Sequence, residues 1–479
     1  MNKKQQRPPV VVFLGHVDAG KSSLLDSIRE TRVAEKEAGG ITQHVYAYQT
    51  EGDNKITFID TPGHKAFSAI RQRGAQVADI AVLVVAANEG IQNQTKEAIS
   101  YIKETKLPCI VAINKIDISK ENINKIRGQL AKEEIIVESQ GGKVPEVQTA
   151  ATTGQGVDHL MELISLVAEM EELKADYKKS AEGFVLESYV DSFRGSIAKI
   201  IVREGTLKPG DIIGTSSAWG KVKGLFNYQE KCIDQALPSQ PVEVLGFKKA
   251  PKAGEKFLIF KNEEEAQKFN EENEKEEITK EISEDALFNI IIKSDVHSSL
   301  EALQNILESL SDKINIIDQD VGNVTKKDIQ VAHDANAEIL AFRVTTDSGA
   351  RGALQRYEEV EIKEFDVIYR LSKYVKDKVE ALDITEEEEK VVGRLKILEV
   401  FKHGPGRQIF GGDVITGEAR QGVKIKIYRG KEKIGEGKII RLESRKQKKD
   451  VVEKGKQAGI LYDGSGSIEE GDIVEVYNK

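Results

Sequence analysis

Residues 15–22 read Gly-His-Val-Asp-Ala-Gly-Lys-Ser, a complete G-x-x-x-x-G-K-[ST] pattern. The pattern follows the apolar run at residues 10–14 and precedes an amphipathic segment that starts at Ser22. A strand must lead into such a loop and a helix must leave it. Backbone N–H groups and the positive end of the helix then converge where a polyphosphate would lie. The arrangement predicts an α/β layer here, with a nucleotide site at its edge. Lys21 is expected to reach the β- and γ-phosphates, and the Ser22 hydroxyl to bind Mg²⁺.

Three later stretches extend this site. Asp60-Thr61-Pro62-Gly63-His64 follows the strand-like residues 56–59, so the Asp60 carboxylate stands at a strand end, where it can hold the metal through water. Read alone, it is a plain Asp-x-Pro-Gly turn. Asn114-Lys115-Ile116-Asp117 closes a third apolar run, residues 109–113. Asp117 can accept hydrogen bonds from N1–H and N2–H₂ of guanine, a donor pair that adenine lacks. A base that left that carboxylate unsatisfied would be rejected by up to roughly 10⁴-fold. Gly39-Gly40-Ile41-Thr42 lies between the first two motifs, where a loop can order around γ-phosphate and Mg²⁺, with Thr42 as the sensor. As an isolated tetrapeptide it reads as a surface loop.

Together, GHVDxGKS, AGGITQH, DTPGH and NKID resemble the translational GTPases. AGGITQHVYAY and DTPGHKAFSAIRQRGAQVADIAVLVVAANEGIQNQT are similar to the bacterial initiation-factor-two family within them, and the likeness covers nearly the whole chain. The resemblance implies a GTPase that binds GTP or GDP with Mg²⁺ and docks on both ribosomal subunits. It also implies that the protein positions formylmethionyl initiator tRNA during subunit joining and then hydrolyses GTP. By matching position, His64 would orient the attacking water, and Val17 and Ile41 would form the apolar gate that the histidine passes. The Gly63 amide would sense the γ-phosphate, with Lys21 and Thr42 completing the catalytic set. Asp18 would help to hold a monovalent cation. Ser22, Thr42 and Asp60 would be the metal-binding residues. His16, Ala19, Gly20, Ser23, Asn114, Lys115, Asp117 and residues 150–152 would complete the nucleotide contacts around Gly15.

The chain departs from the family at Ala19, where a histidine is usual, and at Ala150-Ala151-Thr152, where a Ser-Ala-Lys loop is usual. The Ala151 N–H remains to meet guanine O6, so guanine specificity is expected to persist with weaker affinity. In the C-terminal region, the family's tRNA-end neighbourhood matches Arg445, Lys446, Lys448 and Lys449 together with Gln457-Ala458-Gly459. An aromatic residue usual in the basic run is missing, and Gln457-Ala458 stands where Glu-Cys is usual. A lost stacking surface is worth roughly 1–3 kcal/mol per base. Two alternatives therefore stand beside the initiation reading. One is a related translational GTPase without initiator-tRNA selectivity. The other is an RNA-binding scaffold fixed by GTP, against which Thr42, Asp60 and His64 argue.

The 479 residues, 39% of them hydrophobic, suit about three domains or more, and no apolar stretch approaches membrane-spanning length. The start, MNKKQQRPPVVVF, runs straight into the first strand rather than reading as a signal peptide. Cys109 and Cys232 read as structural thiols in a reducing compartment. These features lead us to expect a cytoplasmic, membrane-free monomer. Residues 390–479 carry 20 Lys plus Arg against 13 Asp plus Glu, a balance of +7 that leaves −16 for the rest of a −9 chain. A basic end on an acidic protein suits an anionic ligand such as RNA, although a solvated Lys-rich barrel surface would read the same way.

The expected fold is multidomain, α/β plus β. A P-loop GTPase domain spans residues 1–175 and a β-barrel spans 181–262. An acidic linker, or a solvated helix, follows at 263–285, with 11 acidic against 4 basic residues over 261–285. An α/β spacer domain is expected at 286–383 and a C-terminal β-barrel, the initiator-tRNA-binding candidate, at 390–479. Gly210-Asp211-Ile212-Ile213 is echoed by Gly471-Asp472-Ile473-Val474, a weak hint that the barrel is duplicated.

Overall fold

A computed structural model describes residues 4–29, 45–52, 54–63, 65–119, 122–274, 288–311, 313–388, 391–402, 406–430, 432–445, 447–465 and 468–477. Ile41, Thr42, His64 and Lys446, to which the sequence assigns roles, lie outside the described residues. The chain divides into two compact units, Met1–Tyr374 and Val375–Lys479.

The first unit opens with strands β1 (Val10–Gly15), β2 (Tyr46–Gln49), β3 (Thr57–Asp60), β4 (Ile80–Ala86), β5 (Cys109–Asn114) and β6 (Glu146–Gln148). They form one sheet in the order β2-β3-β1-β4-β5-β6, parallel except where β2 meets β3. β1 and β4 are buried along their whole length, as central strands covered on both faces must be. Helices α1 (Lys21–Arg29), α2 (Ser68–Val77), α3 (Asn93–Thr105), α4 (Ile123–Lys132) and α5 (Val157–Met170) supply the cover. Phe13, Leu24, Phe58, Val82 and Leu160 share a single core. The phosphate loop, the Asp60 turn and the Asn114 motif leave the carboxyl ends of β1, β3 and β5, on one edge of the sheet, the usual ligand edge of such a fold.

Strands β7 (Glu182–Asp191), β8 (Gly195–Glu204), β9 (Ile212–Gly214), β10 (Trp219–Phe226), β11 (Cys232–Ile233), β12 (Pro241–Phe247) and β13 (Lys256–Phe260) follow. The order β9-β13-β7-β8-β12-β10 closes on itself through the pairing of β9 with β10, and β11 hangs on β10. Closure removes the free edges that an open antiparallel sheet would present. Cys232, expected to be a structural thiol, is exposed on β11.

The acidic stretch takes the helical reading over its first part, and one face of that helix is packed rather than solvated. Its first half is helix α6 (Glu263–Glu274), with Ala266 fully buried and Phe269 stacked on Phe260 at 5.3 Å between ring centroids. Asn270 donates from Nδ2 to the Ser216 carbonyl at 2.8 Å. Ala266, Phe269, Asn270 and Asn273 recur at helical spacing and dock this face on the barrel, leaving the glutamates in water. Residues 275–287 are not described.

A four-stranded, all-parallel sheet comes next: β14 (Phe288–Ser294), β15 (Ile314–Val321), β16 (Glu338–Phe342) and β17 (Ile362–Phe365), in the order β15-β14-β16-β17. It alternates with α7 (His297–Leu310), α8 (Lys326–Asp334) and α9 (Ser348–Leu354), and α10 (Ile368–Glu388) leads out of it. The sequence spaces Ile368, Leu371, Val375, Val379 and Leu382 as one helical stripe; its first four members are buried, and the Leu382 side chain lies outside the described ones.

Within the first unit, Asp79 joins the GTPase domain to the barrel. Its carboxylate accepts from both Arg7 guanidinium nitrogens at 2.7 Å, from Arg203 Nη2 at 2.7 Å and Nη1 at 3.3 Å, and from the Val10 N–H at 2.8 Å. Burial alone would raise the Asp79 pKa, but the hydrogen bonds and charges of the two arginines outweigh it and hold the acid below its ordinary value.

The second unit is a closed barrel of β18 (Val391–Lys402), β19 (Gly406–Arg420), β20 (Lys424–Arg429), β21 (Glu432–Ser444), β24 (Gln457–Gly464) and β25 (Ile473–Tyr477), with the short strands β22 (Gln447–Lys448) and β23 (Val451–Glu453) outside the ring. The ring runs β18-β25-β20-β21-β24-β19 and closes by pairing β19 with β18. The two barrels share more than strand number. Gly210 and Gly471 turn at φ 97° and 96°. Asp211 Oδ2 accepts the Lys208 N–H at 2.8 Å, and Asp472 Oδ2 accepts the Glu469 N–H at 2.8 Å. The Gly-Asp echo is thus one turn used twice.

Candidate nucleotide-binding site

The phosphate loop leaves β1 at Gly15, where a β-carbon would lie 2.3 Å from the Val84 carbonyl oxygen of β4. It passes through a short 3₁₀ turn at Val17–Ala19 and reverses at Gly20, in the left-handed conformation at φ 82°, directly before α1. Ser22 and Ser23 thus occupy the first turn of α1, with Ser23 exposed. Ala19, the departure from the family's histidine, is buried in the domain core, so the loop's course does not rely on a side chain there.

Most of the loop's polar groups are held by the protein. The Lys21 ammonium donates to the carbonyls of His16 at 2.7 Å and Gly15 at 3.2 Å. Burial pulls its pKa down to about 8 against the opposing charge of Asp60, and Arg71 lowers it further. The Asp18 N–H donates to His16 Nδ1 at 3.3 Å, and the Val17 N–H donates to Gln94 Oε1 at 3.0 Å. His16 also approaches Glu89 at 3.4 Å, and Lys115 lies 4.0 Å from the same carboxylate. Glu89 thus links the phosphate and base halves of the site.

The Asp60 turn packs directly onto this loop. A β-carbon on Gly63 would stand 2.5 Å from Val17 Cα and 2.6 Å from Lys21 Nζ. The turn is held by Thr61, which donates to the Phe13 carbonyl at 3.0 Å, and by Arg71, which donates to the Pro62 carbonyl at 3.1 Å. Arg71 is fully buried and paired with Glu97 at 2.8 Å. Asp60 is buried at the end of β3. Ser22 and Asp60 offer only oxygen donors, a set that fits a hard cation which keeps waters and phosphate oxygens as its remaining ligands.

On the base side, Asn114 ties two loops together. Its Nδ2 donates to the Ala19 carbonyl at 3.0 Å, and its Oδ1 accepts from the Ala151 N–H at 3.2 Å and the Thr149 hydroxyl at 3.3 Å. Asn114 therefore ties the phosphate loop to the 150–152 loop, and it takes the amide expected to meet guanine O6. Ala150 is buried. Asp117 is exposed and accepts from the Thr152 hydroxyl at 3.0 Å. A hydroxyl thus orients the carboxylate even though the loop lacks the usual serine.

Gln94, Glu89, Arg71 and Glu97 were not singled out from the sequence. Arg71 alone left a trace, as a cation on the buried face of α2 beside Ile70 and Gly74.

In the C-terminal barrel, a cleft of about 680 Å³ is floored by Gly411, Gly412, Ala458 and Gly459 and walled by Leu398, Phe401 and Ile409. Arg445 lines it, whereas Lys448 and Lys449 are exposed outside its lining. Its second cation, Arg441, pairs with Glu443 at 2.9 Å.

Comparison with known proteins fits this geometry. Residues 6–170 match the model of the elongation factor Tu GTP binding domain, 180–260 that of elongation factor G domain 2, and 261–376 that of translation-initiation factor 2. Translation initiation factor IF-2 of Halothermothrix orenii is 42% identical over 492 residues, covering 98% of this chain and 72% of that protein. The chain belongs to the translation initiation factor IF-2 family. Translation initiation factor IF-2 of Bartonella tribocorum is 38% identical over 99% of the chain, which spans 59% of that longer protein. Among solved structures, GDP-bound aIF5B from Aeropyrum pernix is 27% identical over 98% of this chain and 92% of that one, with a TM-score of 0.49. Membership makes the chain a translational GTPase that binds guanine nucleotide. Among the described residues, no helix is long and apolar enough to cross a membrane.

Proposed function

We propose that this IF-2 family member works on the ribosome, positions initiator tRNA during subunit joining and hydrolyses GTP to leave. The observation that supports this most directly is the contact of Gly63 with both Val17 and Lys21, because it sets the turn before His64 against the loop that carries the phosphates. Lys21 and the loop amides where α1 begins hold the polyphosphate. Asp117, oriented by Thr152, reads guanine, and Lys115 borders the base pocket. Ser22, Thr42 and Asp60 hold Mg²⁺, which supplies charge neutralisation at the β- and γ-phosphates when bound. Asp18 contributes to a monovalent-cation site. His64 orients the attacking water past Val17 and Ile41. Phosphoryl transfer needs positioning and electrostatics more than covalent chemistry, so these roles suffice. The test is His64→Ala on ribosomes. We expect GTP affinity to be kept and stimulated hydrolysis to slow by roughly 10³-fold or more. Unchanged hydrolysis removes His64 from the mechanism.

A second reading retains the GTPase cycle but assigns the C-terminal barrel no selectivity for the formylated end. It is favoured by the bare floor of the cleft, where Gly411, Gly412, Ala458 and Gly459 offer no charge or ring. Protection of formylmethionyl-tRNA from deacylation, compared with unformylated and elongator aminoacyl-tRNAs, separates the two. Selective protection supports initiator recognition, and equal or absent protection supports the second reading.

A further inference from the structure

Helix α3 touches both halves of the phosphate site with side chains three residues apart. Gln94 accepts the Val17 N–H through Oε1 at 3.0 Å. Glu97 holds Arg71 at 2.8 Å, and Arg71 holds the Pro62 carbonyl at 3.1 Å. Positions i and i+3 share a helix face, so one 13-residue helix grips the phosphate loop with one side chain and the Asp60 turn with the other. The Tyr101 hydroxyl, a further turn along, donates to Glu97 at 2.7 Å and steadies that second grip. Between the two anchors lies the approach of Gly63 to Val17, where an added β-carbon would stand 2.9 Å from Val17 N.

We infer that Gln94 and Glu97 form a two-point clamp that sets the gap between the phosphate loop and the Asp60–Gly63 turn, and that Gln94 is a positioning residue for GTP hydrolysis. The inference rests on the reading that the γ-phosphate is cleaved between Val17 and Gly63. Gln94 acts only through the Val17 backbone. The helix itself does not depend on that contact, because Thr95, Ala98, Ile99 and Ile102 bury its other face and the Gln92 N–H is capped by the Thr95 hydroxyl at 3.3 Å. Removing the Gln94 acceptor should therefore loosen the loop without unfolding α3. In a reaction governed by geometry, a displacement of about 1 Å costs about 10²-fold in rate.

The test compares wild type, Gln94→Met, which lacks the amide acceptor, and Gln94→Glu, which retains an oxygen there. Ribosome-stimulated single-turnover hydrolysis at saturating GTP should fall by about tenfold to 10²-fold in Gln94→Met and recover to within about threefold of wild type in Gln94→Glu. GDP affinity should stay within about threefold for Gln94→Met. Equal rates in all three proteins overturn the clamp, as does a loss of GDP affinity that matches the loss of rate. Amide hydrogen exchange in the free protein gives a readout independent of the ribosome. Val17 should exchange faster in Gln94→Met alone, and equal exchange in all three proteins overturns the clamp whatever the ribosome assay shows. A wild-type protein that ribosomes fail to stimulate would count against the functional reading and leave the exchange result to decide the clamp.

Discussion

Gly63 and Gly459 serve opposite purposes. At Gly63 an added β-carbon would meet backbone 2.5 Å away, so the residue is glycine because two chain segments touch there. At Gly459 the nearest atoms, from Glu443, are 3.9 Å away, so the residue leaves an open floor. The nucleotide site is built largely from main chain: the loop amides, the Lys21 bonds to carbonyls and the close passage at Gly63. The barrel cleft can select a ligand only through the side chains on its rim. A backbone-built site tolerates the family departures at Ala19 and Ala150, because neither removes a main-chain donor. The same kind of departure at Gln457 and Ala458 alters what the cleft can recognise.

The largest expected effect tests the side chain that reads the base. Asp117→Ala should weaken GDP binding by about 10³-fold, since two donors of guanine lose a charged acceptor. A loss below tenfold would show that main chain reads the base as well. Gly63→Ala should cut ribosome-stimulated hydrolysis by about 10²-fold, because the backbone must shift to admit the new atom. Near-normal turnover would remove the contrast with Gly459. Asp79→Asn should cost about 3 kcal/mol of stability near neutral pH by leaving two arginines short of a buried partner. The Asp79 pKa lies below its ordinary 3.8 in the folded protein. Its contribution is therefore complete above that value and is lost as pH falls toward the folded pKa. Thermal melts of wild type and variant should stay separated above about pH 4 and converge as the pH falls below it toward the folded pKa. The smallest effect is at the cleft, where Gly459→Leu should leave folding intact and weaken any protection of an aminoacyl-tRNA end by about tenfold. Full protection in that variant would place the tRNA end elsewhere on the barrel.

The nucleotide site was legible in the sequence to the extent that it is local. The phosphate loop, the Asp60 turn and the Asn114 motif each follow an apolar strand, and strand, loop and residue type can be read together. The ties that assemble them were not legible. Arg71 reaches Glu97 across 26 positions and Gln94 reaches Val17 across 77, and no periodicity within a helix announces a partner so far along the chain. Asn114 shows the same limit, since nothing local in its motif announces that its amide bridges the phosphate loop and the 150–152 loop. The docking of the helix at 263–274 was obscured for a different reason. Its exposed face is so densely acidic that the narrow stripe of Ala266, Phe269 and Asn270 was lost in the average.

Asp79 is a mechanical joint. The strand that carries the phosphate loop begins at Val10, whose N–H the Asp79 carboxylate holds, and the barrel is fastened to the same two oxygens through Arg203. Five donors converging on one carboxylate leave it no lone pair with which to follow a sliding neighbour. The barrel therefore cannot shift against β1 without giving up a hydrogen bond at the root of the strand whose far end carries the phosphate loop.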